Sequence, residues 1–142
     1  MYFAGRRGQL SDLYFLKGNI YYRIDSFQRA VEAFSAGNTY EAGPKYLAAR
    51  AGAYLKRKMP DSAFVDLIKA AEINYDYKWN LGNYYEVIGK RDSALINYTW
   101  LYNEDSVVYK FCKQRINELE KRHPKVLTEL YTDRDRKVLL FK

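Results

Sequence analysis

A single histidine, His123, and a single cysteine, Cys112, bound the metal and thiol chemistry open to this chain. Zinc and related ions ask for three or four His, Cys or carboxylate ligands held together. One His and one Cys, eleven residues apart, do not supply that set. Cys112 falls on an apolar stripe, as a small core residue does. With no second cysteine there is no intrachain disulfide, which fits a reducing compartment. Cytoplasmic placement is therefore the expectation, with a periplasmic or envelope-associated one kept open should the chain be an excised piece. No phosphate-cradling Gly-rich loop and no G-x-S-x-G elbow occurs. Carboxylates are plentiful, but nothing sets a pair in a dry cleft for general acid–base work. The expectation is no catalytic residue, no cofactor and no metal: a chain that binds rather than catalyses.

What the chain does carry is a spacing that occurs three times. Gly18-x-x-Tyr21 is followed by Ala30 and Phe34, Ala51-x-x-Tyr54 by Ala63 and Leu67, and Gly82-x-x-Tyr85 by Ala94 and Tyr98, at identical offsets. The copies begin 33 and 31 residues apart. A small residue, a tyrosine, an alanine and a bulky apolar residue at fixed offsets describe two closely packed helices. Gly18, Ala51 and Gly82 let the helices of a pair approach, and Ala30, Ala63 and Ala94 offer the matching small surface. The tyrosines, with Phe34, Leu67 and Tyr98, fill the space between a pair and its neighbour. One pair cannot bury its apolar face alone, so the pairs must stack.

Period and punctuation place the elements. Ser11 reads as the cap of a helix to Ile24, with Leu13, Leu16, Ile20, Tyr21 and Ile24 at helical spacing. Asp25-Ser26 turns into a second helix over 26–37, which Gly37-Asn38 would end. Pro44 suits the first position of a helix running to Lys58. Further helices are expected over 61–73, 75–88, broken by Gly89, and 92–103. An Asp-Ser dipeptide falls before or at the start of each second helix, which predicts side-chain N-caps. Asp105-Ser106 opens a longer helix over 106–122, with Val107, Val108, Phe111, Cys112, Ile116 and Leu119 on one stripe. After Pro124 a short helix over 124–131 is expected, then a polar stretch and the apolar tail Val138–Phe141. The whole reads as one all-α domain, with repeats at about 11–43, 44–74 and 75–105 and a C-terminal part over 106–142.

These residues resemble the tetratricopeptide repeat family. Leu81-Gly82-Asn83-x-Tyr85 with Ala94 and Tyr98 is the best copy, and Phe27, three before Ala30, also suits the pattern. The resemblance covers about residues 11–105, and the helix after it resembles the capping helix that follows such arrays. Lys17 and Arg50 depart from it, standing where an apolar residue is expected before the small one. The resemblance implies a right-handed α-α superhelix whose first helices line a concave, peptide-binding groove. Projected onto this chain, the groove takes Asp12, Phe15, Asn19, Tyr22 and Arg23 from the first repeat. The second supplies Lys45, Ala48, Ala49, Gly52, Leu55 and Lys56, and the third Asp76, Trp79, Asn80, Asn83 and Glu86. Some family members grip a C-terminal carboxylate with Lys and Arg around two Asn. Here Asn19 and Asn83 suit the asparagine positions, but Ala49, Asp76 and Asn80 replace the rest, and an aspartate repels a carboxylate. That clamp is not expected. Phe15, Tyr22 and Trp79 are the aromatic candidates for anchoring a partner.

Charge gives a competing reading. The net charge is +7, and residues 110–142 hold 10 Lys/Arg against 5 Asp/Glu. Such a segment could attract nucleic acid or another polyanion, although its signs are interspersed as on a solvated helix, and nucleic acid is not the expected ligand. No apolar run reaches the roughly 18 residues of a membrane span, so no transmembrane segment is expected. The apolar tail could fold back or join a second copy into a homo-oligomer. A third reading is a regulatory or sensor segment of a larger signalling or envelope protein. The leading expectation is a non-enzymatic scaffold that binds a protein or peptide in its groove.

Overall fold

The computed structural model describes residues 2–122, with side chains from residue 6 onward. Within them the chain forms α1 (Tyr2–Arg23), α2 (Phe27–Tyr40), α3 (Pro44–Lys56), α4 (Pro60–Ile73), a single 3-10 turn (Tyr75–Tyr77), α5 (Lys78–Val87), α6 (Arg91–Glu104) and α7 (Lys110–Leu119). No strand occurs among the described residues. α1 packs on α2, α3 on α4 and α5 on α6, and the pairs join through α2–α3, α4–α5 and α6–α7. The helix expected over 124–131 and the tail Val138–Phe141 lie outside the described residues.

The recurring residues do what their sizes predict. The Phe34 ring lies where a Cβ on Gly18 would go, and the Tyr98 ring lies where one on Gly82 would go. Ala30, Ala63, Ala94, Phe34, Leu67 and Tyr98 are all fully buried. Tyr54 packs into the cores of both the first and second pairs, and Tyr85 into those of the second and third. These tyrosines tie each pair to the next, so the stack shares one continuous apolar interior.

The tyrosines have a second, backbone role. Asp25, Lys58 and Gly89 close the three first helices at positive φ of 62°, 58° and 82°. The next residue in each case, Ser26, Met59 or Lys90, donates its N–H to the carbonyl of Tyr21, Tyr54 or Tyr85 at 2.7–2.9 Å. Asp25, Lys58 and Gly89 themselves donate to Tyr22, Leu55 and Glu86. These paired bonds around a left-handed residue are Schellman motifs. They correct the expected side-chain caps: Ser26, Met59 and Lys90 stand at the N-caps, and none makes a side-chain cap bond.

Other boundaries move for local reasons. α1 begins at Tyr2, not at Ser11, whose hydroxyl instead donates to the Gly37 carbonyl at 2.8 Å from a buried position. Gly37 does not end α2; it lies inside the helix under the Tyr46 ring, which a Cβ there would approach to 2.7 Å. α7 starts at Lys110 rather than 106, because Asp105 Oδ1 accepts from the N–H groups of Val107 and Val108 at 3.0 Å and holds a turn. Val107 and Val108 are exposed, so the buried stripe of α7 is Cys112, Ile116 and Leu119. Arg50, which departs from the repeat pattern, is bonded to α4 and α2. Its guanidinium donates to both Asp66 oxygens at 2.6 and 2.7 Å and to Ser35 Oγ at 3.1 Å. The bond to Asp66 pushes the Arg50 pKa up, against the effect of burial.

Candidate binding surface

The projected groove residues divide by repeat. In the first two repeats they line an accessible surface. Asp12 and Lys45 form an ion pair at 3.4 Å, with side chains 74% and 45% exposed. The Lys45 amine also lies 5.0 Å from the Phe15 ring centre and 5.1 Å from that of Tyr46. Phe15 is half-buried, set against Phe34 and edge-on to Tyr46, so it packs between the first two pairs. Tyr22 is half-buried, edge-on to Phe27. Asn19, Leu55 and Lys56 are half-buried, and Arg23 is exposed. Ala48, Ala49 and Gly52, also projected onto the groove, are buried instead: Ala48 packs with Ala63 and Leu67, and Ala49 with Ala30, Val31 and Phe34. An open cleft of about 220 Å³ adjoins this surface, with Asp12, Glu41, Gly43, Lys45, Tyr46 and Tyr77 among its lining residues.

In the third repeat the corresponding residues are turned inward. Trp79 is 3% exposed, packed on the Tyr98 ring at 5.2 Å and edge-on to Phe111 at 4.8 Å. It is a core residue and not a groove anchor, because α7 reaches over it. Asn83 is fully buried and donates to the Tyr98 hydroxyl at 2.7 Å. Tyr98 donates in turn to Glu86 Oε2 at 2.5 Å. Glu86 is buried and paired with buried Arg115, which donates to both of its carboxylate oxygens. Asp76 accepts from the Tyr109 hydroxyl. Thus Trp79, Asn83 and Glu86, projected as groove residues, are occupied by contacts with α6 and α7. Sequence reasoning missed this network. Its one local signal was Arg115 on an otherwise apolar face of α7.

Burial sets the ionisation here. Dehydration, with the Glu86 charge as a second cause, pushes the Tyr98 pKa well above the phenol range, so Tyr98 stays a neutral donor. Burial also pushes the Cys112 thiol up to about 12, leaving it unreactive as a nucleophile. Among the described residues no cluster of three His, Cys, Asp or Glu could hold a metal, and no helix is long and apolar enough to cross a membrane. The basic C-terminal segment is described only to residue 122, where Lys110, Lys113, Lys121 and Arg122 are exposed.

Stacked antiparallel helix pairs of 31–33 residues, closely packed through small residues and followed by a capping helix, define an all-α superhelix of tetratricopeptide type. Solved structures share that fold. The first such domain of Spaghetti (RPAP3), bound to the HSP90 peptide SRMEEVD, has a TM-score of 0.65 at 18% identity, over 79% of this chain and 91% of that one. The Arabidopsis OM64 domain has a TM-score of 0.62 at 20% identity, over 78% and 97%. The second domain of human RPAP3, in complex with the HSP70 peptide SGPTIEEVD, has a TM-score of 0.64 at 19% identity, over 84% and 99%. At these identities the likeness is one of fold. No family model matches the sequence, and no curated protein matches it.

Proposed function

We propose that this chain is a non-enzymatic protein-interaction module that holds a peptide or protein surface along the first helices of its first two repeats. The observation that carries this reading is the division of the groove: Asn19, Tyr22, Arg23, Lys45 and Lys56 remain accessible, while Trp79, Asn83 and Glu86 are engaged from inside. Phe15 and Leu55 serve mainly to shape the surface. Arg23, Lys45 and Lys56 outnumber Asp12 and the cleft residue Glu41, leaving the accessible part weakly positive, and Asn19 offers both a donor and an acceptor to a peptide backbone. An extended segment with acidic side chains fits that chemistry. The solved domains of like fold carry chaperone peptides in two cases, which supports peptide binding in general. A carboxylate clamp of that kind has poor support, because Ala49, Asn80 and Asn83 are buried and Asp76 is acidic.

The test is a selection of displayed peptides on this chain, followed by anisotropy titration of the best binder. Asn19→Ala with Lys56→Glu should weaken binding at least about tenfold, or about 1.4 kcal/mol, at unchanged melting temperature. Lys69→Glu, exposed on the second helix of the middle pair, should leave it unaltered. The opposite pattern would place binding on the outer helices and sink the proposal.

A further inference from the structure

Each first helix after α1 buries one face against the preceding pair. Ala49 and Ala53 of α3 join Ala30, Val31 and Phe34, and Tyr46 beside them is equally buried. Tyr84 joins Ala63 and Leu67, with Asn80 also buried on α5. Tyr109, Cys112 and Ile116 join Ala94, Tyr98 and Leu101. The corresponding face of α1 carries Leu13, Leu16, Ile20 and Ile24, and these are 62%, 58%, 51% and 63% exposed. Leu10 extends the stripe at 39%. From Leu10 to Ile24 it runs about 21 Å along the helix at 1.5 Å per residue.

We propose that this stripe is a self-association surface, joining two copies of the chain by antiparallel packing of their α1 helices. Its composition selects the occupant. The internal faces are cut for particular neighbours: Ala49 and Ala53 are small where Phe34 and Val31 are bulky. The α1 stripe holds only branched aliphatic side chains, which suits ridges and grooves of the same kind. A two-fold axis between residues 17 and 18 interleaves the copies. Ile24, Ile20, Leu16 and Leu13 of the second copy then fall at the levels of residues 11, 15, 19 and 22, between successive members of the first stripe. The same axis sets Asp12, already paired with Lys45 of its own chain at 3.4 Å, level with Arg23 of the second copy, twice over, so that the carboxylate would lie between two cations. Both are exposed, and eleven residues, three helical turns, place them on one flank of α1. An isologous interface of this kind closes at two chains and leaves no open end. The two Lys17 side chains approach near the axis, but each amine is drawn aside over its own Tyr14 and Tyr21 rings at 6.0 and 5.8 Å.

Sedimentation equilibrium of the full 16.8 kDa chain tests this. The expected mass is that of two chains. Leu16→Glu with Ile20→Glu should return one chain with unchanged far-UV dichroism, since both side chains face solvent in the single chain, and its melting should lose the concentration dependence that a dimer imposes. Asp12→Arg or Arg23→Asp alone should weaken the dimer about three- to tenfold, and the two together should restore it, following ion-pair complementarity. A single-chain mass at every concentration up to about 1 mM would overturn the proposal. So would a dimer indifferent to the stripe variants, or a charge swap that fails to restore association.

Discussion

At the third repeat, Asn83, Tyr98, Glu86 and Arg115 form a buried chain of charged and neutral hydrogen bonds beneath α7. At the first, Asp12 and Lys45 form an ion pair with the Asp12 side chain largely in water and that of Lys45 nearly half so. The two sites occupy the same side of the same repeating architecture. Each pair is followed by a packed helix, α3 after the first and α7 after the third; the sites differ because α7 brings the Arg115 and Phe111 side chains onto Glu86 and Trp79. The same helix positions thus act as core at one end and as accessible surface at the other. A burial statement about one repeat therefore does not transfer to its neighbours.

Removing one partner from each pair gives the sharpest contrast. Glu86→Ala strands the Arg115 charge in the interior and should cost about 3–5 kcal/mol, read as a shift of the urea midpoint at unchanged slope. Asp12→Ala removes an exposed, screened pair and should cost at most about 1 kcal/mol. Replacing Glu86 and Arg115 together by Leu and Met should recover only part of the loss, because the apolar pair removes the stranded charge but leaves the buried Tyr98 hydroxyl without its acceptor. Equal effects of the two alanine variants would mean that the third repeat is not sealed in solution.

The aromatic residues at equivalent positions sharpen the contrast. Trp79→Ala empties a packed site between Tyr98 and Phe111 and should cost about 3–5 kcal/mol. Phe15→Ala, half-buried against Phe34 and Tyr46, should cost roughly half as much. Thermal melting of the two variants reads this difference. A Trp79→Ala variant that melts like the unmodified chain would return Trp79 to the surface.

Alkali should act on the sealed end first. The Cys112 thiol ionises only near 12 in the folded chain against an ordinary 9. Between those values the unfolded chain loses a proton that the folded chain keeps, so stability falls as pH rises from about 9 to about 12. Tyr98, also raised by burial, adds to the same slope above the phenol range. Cys112→Ala should flatten the decline, and hydrogen exchange should show α6 and α7 losing protection before α1 and α2.

The repeat spacing was legible in the sequence because it is local: Gly18, Tyr21, Ala30 and Phe34 act within one helix pair, and the structure uses each as its size suggests. The projected positions were legible too, but not which of them stay in water. That depends on Arg115 reaching Glu86 across 29 residues, and no periodicity encodes such a contact. Likewise Leu13, Leu16 and Ile20 were legible as apolar positions at helical spacing, which does not reveal whether anything covers them. Ser11 and Gly37 misled as a cap and a stop because they answer each other: one donates to the other's carbonyl across two helices.

The smallest predicted effect concerns the turns, where one device is built from three residue types. Gly89 meets the left-handed requirement without strain, and nothing lies within 4 Å of where its Cβ would be. Lys58 and Asp25 adopt the same conformation with a Cβ, which disfavours it by about 1–2 kcal/mol for most side chains, less for Asp. Lys58→Gly should therefore raise stability by about 0.5–1 kcal/mol, the relieved strain being offset in part by glycine's extra freedom when unfolded. Asp25→Gly should gain less, because Asp tolerates this region better than Lys. Gly89→Ala should lose about 1 kcal/mol for the same reason in reverse. Chemical unfolding of the three variants would order the turns by strain alone, since the Schellman bonds to Tyr21, Tyr54 and Tyr85 are common to all. If Lys58→Gly were instead destabilising, the lysine side chain at the end of α3 would have a role outweighing its backbone strain, and the second turn would differ in kind from the third.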